Sequence, residues 1–173
     1  PLTHAAGVLC FPILALGGEL AGMPAPDLGE FPPLIERPRS THTFLPPTLI
    51  YMLLDHPALP DANLGSLQGL WYGAAPMSVA RLEQAIKVFG PVMAQFYGQV
   101  EAPMMCAFLS PEDHTEALSD PALRGRLASC GRPSLAANIG IMDDEGRLLG
   151  RGEHGEIVVR TSLRMAGYHD EPE

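Results

Sequence analysis

The stretch LWYGAAPMSVARLEQAIKVFGPVMAQF, Leu70 to Phe96, decides the fold class. It opens on a short run of β-forming residues, Leu70-Trp71-Tyr72, that breaks at Gly73-Ala74-Ala75-Pro76. A helix is predicted from Ser78, an N-cap residue type, with Val79, Leu82, Ile86 and Phe89 spaced by three and four so that they form one apolar stripe. Gly90-Pro91 ends it, and Val92 to Phe96 reads as the next strand. Two strands joined by a crossover helix lie parallel in one sheet, since a short turn cannot return the chain to the same edge.

Working outward, Thr41 to Leu45 reads as an earlier strand, and Pro46-Pro47 suits the first turn of a helix running through Leu54, where proline lacks only a donor that would be unpaired. Ala5 to Leu16 is almost wholly apolar around Pro12 and is predicted to be a buried helix stopped by Gly17-Gly18. Met23 to Pro33 is a proline-rich surface connection leading into a short helix. Ser110 to Arg126 is polar and reads as a loop with a helical turn or two. From Leu135 short segments alternate around turns: Ala136 to Met142, the tip Asp143-Asp144-Glu145-Gly146, Leu148-Leu149, and Glu156 to Arg160. The expected fold is α/β: a mostly parallel sheet with flanking helices over 1–130, then an antiparallel β meander over 131–173.

The 173 residues are 46% hydrophobic and only 18% charged, which argues for a packed core and for apolar surface that a partner covers. Eleven Lys and Arg stand against twenty Asp and Glu, net charge -9, without a basic cluster, so nucleic acid is not an expected partner. Lys87 is the only lysine. Cys10, Cys106 and Cys130 show no C-x-x-C spacing and read as reduced thiols. No apolar run reaches the roughly 18 residues of a membrane span. The expected location is therefore the cytoplasm.

In an open parallel sheet, ligands bind in the crevice beyond the carboxyl ends of the strands. Gly73-Ala74-Ala75-Pro76 and Tyr97-Gly98-Gln99-Val100-Glu101 both leave their strands there. The first offers bare backbone that a flat ring can approach, and the second offers an aromatic face and an acid. An acid just past a buried strand must be solvated, paired or metal-bound. A solvated loop carboxylate is the plain reading of Glu101; a nucleotide with Mg²⁺ is the chemical one, because that ion takes one or two carboxylates plus phosphates.

A set of motifs weighs on this choice. Gly73-Ala74-Ala75-Pro76-Met77-Ser78, Tyr97-Gly98-Gln99-Val100-Glu101, Gly131-Arg132-Pro133, Gly155-Glu156-Ile157-Val158-Val159-Arg160 and Met165-Ala166-Gly167-Tyr168 resemble, in order and spacing, successive motifs of the adenylate-forming acyl-CoA synthetase family. Pro1-Leu2-Thr3-His4-Ala5-Ala6-Gly7 resembles its motif at the acyl pocket, so the likeness spans the chain. The resemblance implies that a carboxylic acid is activated by ATP as an acyl-adenylate and passed to coenzyme A. It implies nucleotide contacts at Gly73, Ala74, Ala75, Pro76, Tyr97, Gly98, Gln99 and Val100, Mg²⁺ on Glu101, and an acyl pocket entered at His4. Tyr72 and Gln95 are further candidates to touch the acyl group.

His4 stands where amino-acid-activating relatives carry an acid, which implies a plain acid with an apolar tail. Val100 replaces the Thr usual in the family and so lacks a hydroxyl for the phosphate. The family's phosphate loop would lie upstream of residue 1, and its ribose-binding Asp and lysine-bearing domain downstream. The resemblance thus makes this chain a middle slice of the large N-terminal domain, with the meander beginning a β-barrel subdomain and no complete catalytic set. The other readings are a piece of a carrier-protein-dependent adenylation domain, a nucleotide-binding module without catalysis, and an interaction piece that dimerises through an exposed sheet edge. Arg164, Tyr168 and His169 receive no chemistry, and Asp143-Asp144-Glu145 is expected to be a hairpin tip.

Overall fold

The computed structural model describes residues 5–170. In chain order the elements are α1 (Ala5–Ala15), α2 (Phe31–Glu36), β1 (His42–Leu45), α3 (Pro47–Leu54), β2 (Gly69–Gly73), α4 (Val79–Phe89), β3 (Met93–Gln99), β4 (Ala102–Leu109), α5 (Pro111–Ser119), a 3₁₀ segment (Pro121–Ala128), β5 (Arg132–Pro133), β6 (Ala137–Met142) and β7 (Glu156–Thr161). Strands β1 to β5 form one sheet in that order, and β6 pairs with β7 in a second. Pairing is parallel from β1 through β3 and antiparallel from β3 through β5.

The register Leu70↔Met93, Tyr72↔Gln95 puts these side chains on the face covered by α3 and α4, because parallel partners share a face. Leu70, Tyr72 and Met93 pack there with Ile50 and Leu53 of α3 and with Leu82, Ala85 and Phe89 of α4. Fully burying an aliphatic or aromatic side chain of this size contributes about 1.5–3 kcal/mol, so the helix stripe is what holds the crossover down. Arg81 of α4 grips Asp55 at the end of α3 with two bonds, Nη1 to Oδ1 at 2.9 Å and Nη2 to Oδ2 at 2.7 Å. Ser78 sits at the expected N-cap but makes no side-chain capping bond; its amide donates to the Tyr51 hydroxyl at 2.7 Å instead.

The opposite face carries an aromatic row across the strands. Ring centroids lie 5.1 Å apart for His42 and Trp71, 5.6 Å for Trp71 and Phe96, and 5.2 Å for Phe96 and Phe108. Spacings of this kind suit tilted and edge-on ring contacts.

Three expectations change. Helix α1 is not buried: Phe11 is 76% and Leu14 54% exposed, and of its residues only Ala5 is buried. Its apolar residues surround the helix instead of forming a stripe, so composition marks a surface that avoids water without saying what covers it. The third strand does not stop at Phe96 but runs to Gln99 and turns back into β4, which alternation did not reveal because residues 102–109 are apolar on both faces. The stretch after Ser110, expected as a loop with a helical turn or two, is mostly helical and begins with a capping box: Ser110 Oγ accepts from the Asp113 amide at 3.1 Å while Asp113 Oδ2 accepts from the Ser110 amide at 3.3 Å.

Helix α5 is locked to the sheet by its one buried imidazole. His114, 1% exposed, has Nδ1 2.6 Å from the Ser110 carbonyl and Nε2 2.8 Å from the Tyr72 hydroxyl. A carbonyl only accepts, so Nδ1 carries the proton, and Nε2 of the neutral ring accepts from Tyr72. Burial holds the His114 pKa below its ordinary value, against the opposing pull of the Ser110 carbonyl and Asp113.

The unfolded chain therefore takes up this proton at higher pH than the folded one, and stability is complete above about pH 6.5 and declines as pH falls below it toward the folded pKa. Thermal unfolding measured across this range should show that decline, and His114→Gln should flatten it. An unchanged slope in the variant would exclude His114 as its source.

Candidate active site

Because β2 and β3 are parallel, their carboxyl ends fall at one edge, and the register pairs Gly73 with Phe96 there. A Cβ on Gly73 would stand 2.4 Å from the Phe96 carbonyl oxygen, so no side chain fits between the strands. The following Ala74 has φ 67°, a left-handed conformation that costs an L residue about 1–2 kcal/mol. The turn Gly73 to Pro76 is thus held flat and open by strand pairing.

This turn and Tyr97-Gly98 face each other across a cavity of about 540 Å³, closed on the far side by Leu127, Ala128, Ser129 and Cys130 at the end of the 3₁₀ segment. Gln95 lines the same cavity. Tyr97 is half-buried and packs with Ala102 and Cys106 of β4 and with Ala137 of the second sheet. Burial first, with the neighbouring Cys130 and Cys106, pushes its hydroxyl pKa up, so it stays a neutral aromatic surface.

A second cavity, about 570 Å³, lies on the other side of the hairpin. Gln99, Val100 and Glu101 form one rim, and Val8, Phe44, Pro103 and Met104 make it mostly apolar. Ala74, Phe96 and Gly98 line both cavities and form the partition between them. Gly98 is needed bare, since a Cβ there would approach the Met104 amide nitrogen to 2.4 Å where β4 bulges against β3. Met104 itself has φ 63° in that bulge.

Glu101 is at the hairpin turn. One carboxylate oxygen, Oε1, accepts from the Tyr168 hydroxyl, and its main-chain carbonyl accepts from the Met165 amide at 2.9 Å. The Tyr168 bond first, then its own backbone amide, hold the Glu101 pKa below the usual range, so the group is an anion at neutral pH. Among the described residues no three His, Cys, Asp or Glu side chains gather into a closed metal site. A lone ionised carboxylate fits a cation whose remaining ligands arrive with a phosphate substrate.

The structure brings together Gly73, Ala74, Ala75, Pro76, Tyr97 and Gly98, and sets Gln99, Val100 and Glu101 on the adjoining rim. Tyr72 must be corrected: it is fully buried on the helix face, bonded to His114, and lines neither cavity, because alternation in β2 sends Trp71, not Tyr72, toward Phe96. Gln95 lines the first cavity and not the second, its register with Tyr72 setting it on the helix-side face of the sheet. His4 lies outside the described residues. Phe44, Met104, the Leu127 to Cys130 wall and Tyr168 went unrecognised; Phe44, the wall and Tyr168 come from elements remote in sequence from the two turns, while Met104 reaches the cavity through the irregular pairing of β4 with β3.

Residues 1–169 match the family described as AMP-binding enzyme. The whole chain is 40% identical to a medium/long-chain-fatty-acid–CoA ligase, FadD8, of Mycobacterium tuberculosis, and spans 29% of that protein's length. It is 39% identical to the solved amide bond synthetase McbA of Marinactinospora thermotolerans, with TM-score 0.87 over 97% of this chain and 32% of that one. The o-succinylbenzoate CoA synthetase MenE of Bacillus subtilis, solved with the acyl-adenylate intermediate OSB-AMP, matches at 25% identity and TM-score 0.81 over 99% of this chain and 33% of its own. The chain thus spans about a third or less of the length of these relatives.

Gly98→Ala should force β3 and β4 apart at the partition. A loss of about 1–3 kcal/mol in denaturant unfolding is expected from such overpacking. Unaltered stability would mean that the bulge at Met104 yields freely.

Proposed function

This chain belongs to the AMP-binding enzyme family, and from that premise we propose that it is the central part of an acid–thiol ligase that activates an apolar carboxylic acid with ATP and transfers it to coenzyme A. One observation carries the reading: two cavities share the partition Ala74, Phe96 and Gly98, so a nucleotide in one and an acyl chain in the other meet at that wall.

Adenine would lie against Tyr97 and the exposed backbone of Gly73, Ala74 and Ala75, where small residues permit close approach. The acyl tail would occupy the cavity of Val8, Phe44 and Met104, whose lining favours apolar chains over charged ones. The carboxylate oxygen attacks the α-phosphorus, the bond to the bridging oxygen breaks, and pyrophosphate leaves with the electron pair. The thiol of coenzyme A then loses its proton to solvent, its sulfur attacks the acyl carbon, and AMP leaves with the electron pair of the acyl–oxygen bond.

Glu101 would hold Mg²⁺, which when bound neutralises charge on the phosphates. Gln99 and Val100 would face the phosphates from the same rim. Because Val100 cannot donate, a hydrogen bond to a charged group worth about 1.5–3 kcal/mol is missing. The phosphate loop and the lysine-bearing domain belong, in this reading, to other parts of a parent protein working in the cytosol. Strand β1 is the outer strand of its sheet among the described residues, and its edge would offer a surface for dimerisation.

A second acceptor has support of its own. The amide bond synthetase matches at 39% identity, level with the ligase at 40%, so the same activated acyl group delivered to an amine is the competing outcome. Product analysis with coenzyme A and with an amine supplied separately distinguishes the two.

ATP–pyrophosphate exchange driven by medium-chain fatty acids should be found with the parent protein, not with these 173 residues alone. Exchange by the isolated chain would overturn the division of labour; no exchange by the parent would overturn the reading. In the parent, Val100→Thr should raise exchange by about tenfold or more, as the restored hydrogen bond implies. A fall would show the site adapted to valine.

A further inference from the structure

Tyr168 lies 67 residues beyond Glu101 in sequence, yet its hydroxyl donates to the Glu101 carboxylate. The path that brings it there is a chain of hydrogen bonds. Thr161, at the end of β7, donates from Oγ1 to the Ala136 carbonyl at 2.8 Å and accepts from the Leu163 amide at 3.1 Å, which turns the chain back toward the hairpin. The Met165 amide then binds the Glu101 carbonyl at 2.9 Å. One short segment thus holds Glu101 at two points, main chain and side chain.

We propose that this segment is a clamp and that Tyr168 is the positioning residue that aims the Glu101 carboxylate at a divalent cation arriving with nucleotide phosphates. The inference rests on the metal role given to Glu101 above and adds the group that orients it. The chemistry of the pair supports orientation rather than blockade. A phenol bonded to Oε1 takes one lone pair of a carboxylate that offers about four, so Oε2 stays open to the cation. Outer hydrogen-bond donors of this kind fix the ligand's direction and typically govern metal affinity by tenfold to a hundredfold.

Tyr168 is 56% exposed, so it contributes little to the core, and removing its hydroxyl should leave the fold intact. The clamp also joins the second sheet to the hairpin of the first, so the presented acid depends on how the two sheets dock.

The test uses the full-length parent protein with Mn²⁺ as the probe, free Mn²⁺ being read by electron paramagnetic resonance in the presence of a non-hydrolysable ATP analogue. Tyr168→Phe should weaken Mn²⁺ binding about tenfold or more. Affinity for the analogue in metal-free buffer and the thermal midpoint should stay at wild-type values. In a Glu101→Gln background, Tyr168→Phe should produce no further loss, because the hydroxyl then has no ligand to aim. Unchanged or tighter Mn²⁺ binding in Tyr168→Phe, with Glu101→Gln still weakening it, would overturn the clamp and leave the metal role standing. If Glu101→Gln itself leaves Mn²⁺ binding untouched, the metal role falls and the clamp with it.

Discussion

The close approach of β2 and β3 at Gly73 and Phe96 is the constraint on which the site depends. With 2.4 Å between a notional Cβ and the Phe96 carbonyl oxygen, the strands can stay paired only if position 73 lacks a side chain. That pairing puts two turns at one sheet edge and leaves Ala74 in a left-handed conformation that an unconstrained alanine would leave. The partition between the two cavities is a direct product of this contact, since Ala74 and Phe96 are both part of it.

The helix side of the sheet supplies the rigidity that makes such strain tolerable. Leu82, Ala85 and Phe89 seat α4 on Leu70 and Met93, and the polar atoms buried beneath α5 are satisfied through Ser110, His114 and Tyr72. Asp113 extends the same lock to β5. Burial raises its pKa, but the Ser110 amide and the Arg132 guanidinium, bonded at 2.6 Å, outweigh that and keep it ionised. Gly131 ahead of that arginine lies flat on Phe108, where a Cβ would come within 2.1 Å of the carbonyl oxygen. The Gly131-Arg132-Pro133 motif therefore works as a fastener that sets the 3₁₀ wall of the first cavity.

The opposite side of the sheet behaves differently. His42, Trp71, Phe96 and Phe108 form an aromatic surface, and α1 leans on β4 with Phe11 and Leu14 turned outward. So much exposed apolar area marks a surface that another surface would cover. The second cavity opens on this face, and Ala5 and Val8 of α1 complete its rim.

By itself the sequence determined the α/β class, the parallel crossover from Leu70 to Phe96 and the tight turn after β2. Each is written in residues a few positions apart: a three-and-four stripe, a proline-bearing turn, a small residue where strands meet. Tertiary structure alone decided the rest. Which of Trp71 and Tyr72 joined the aromatic face depended on the register with β3, and α5, started by its own Ser110–Asp113 capping box, was fixed to the sheet by His114 because Tyr72 was there to receive it. Glu101 looked like a bare charge in the sequence because its partner, Tyr168, is 67 positions away, and no local spacing encodes a contact made by the path of the chain.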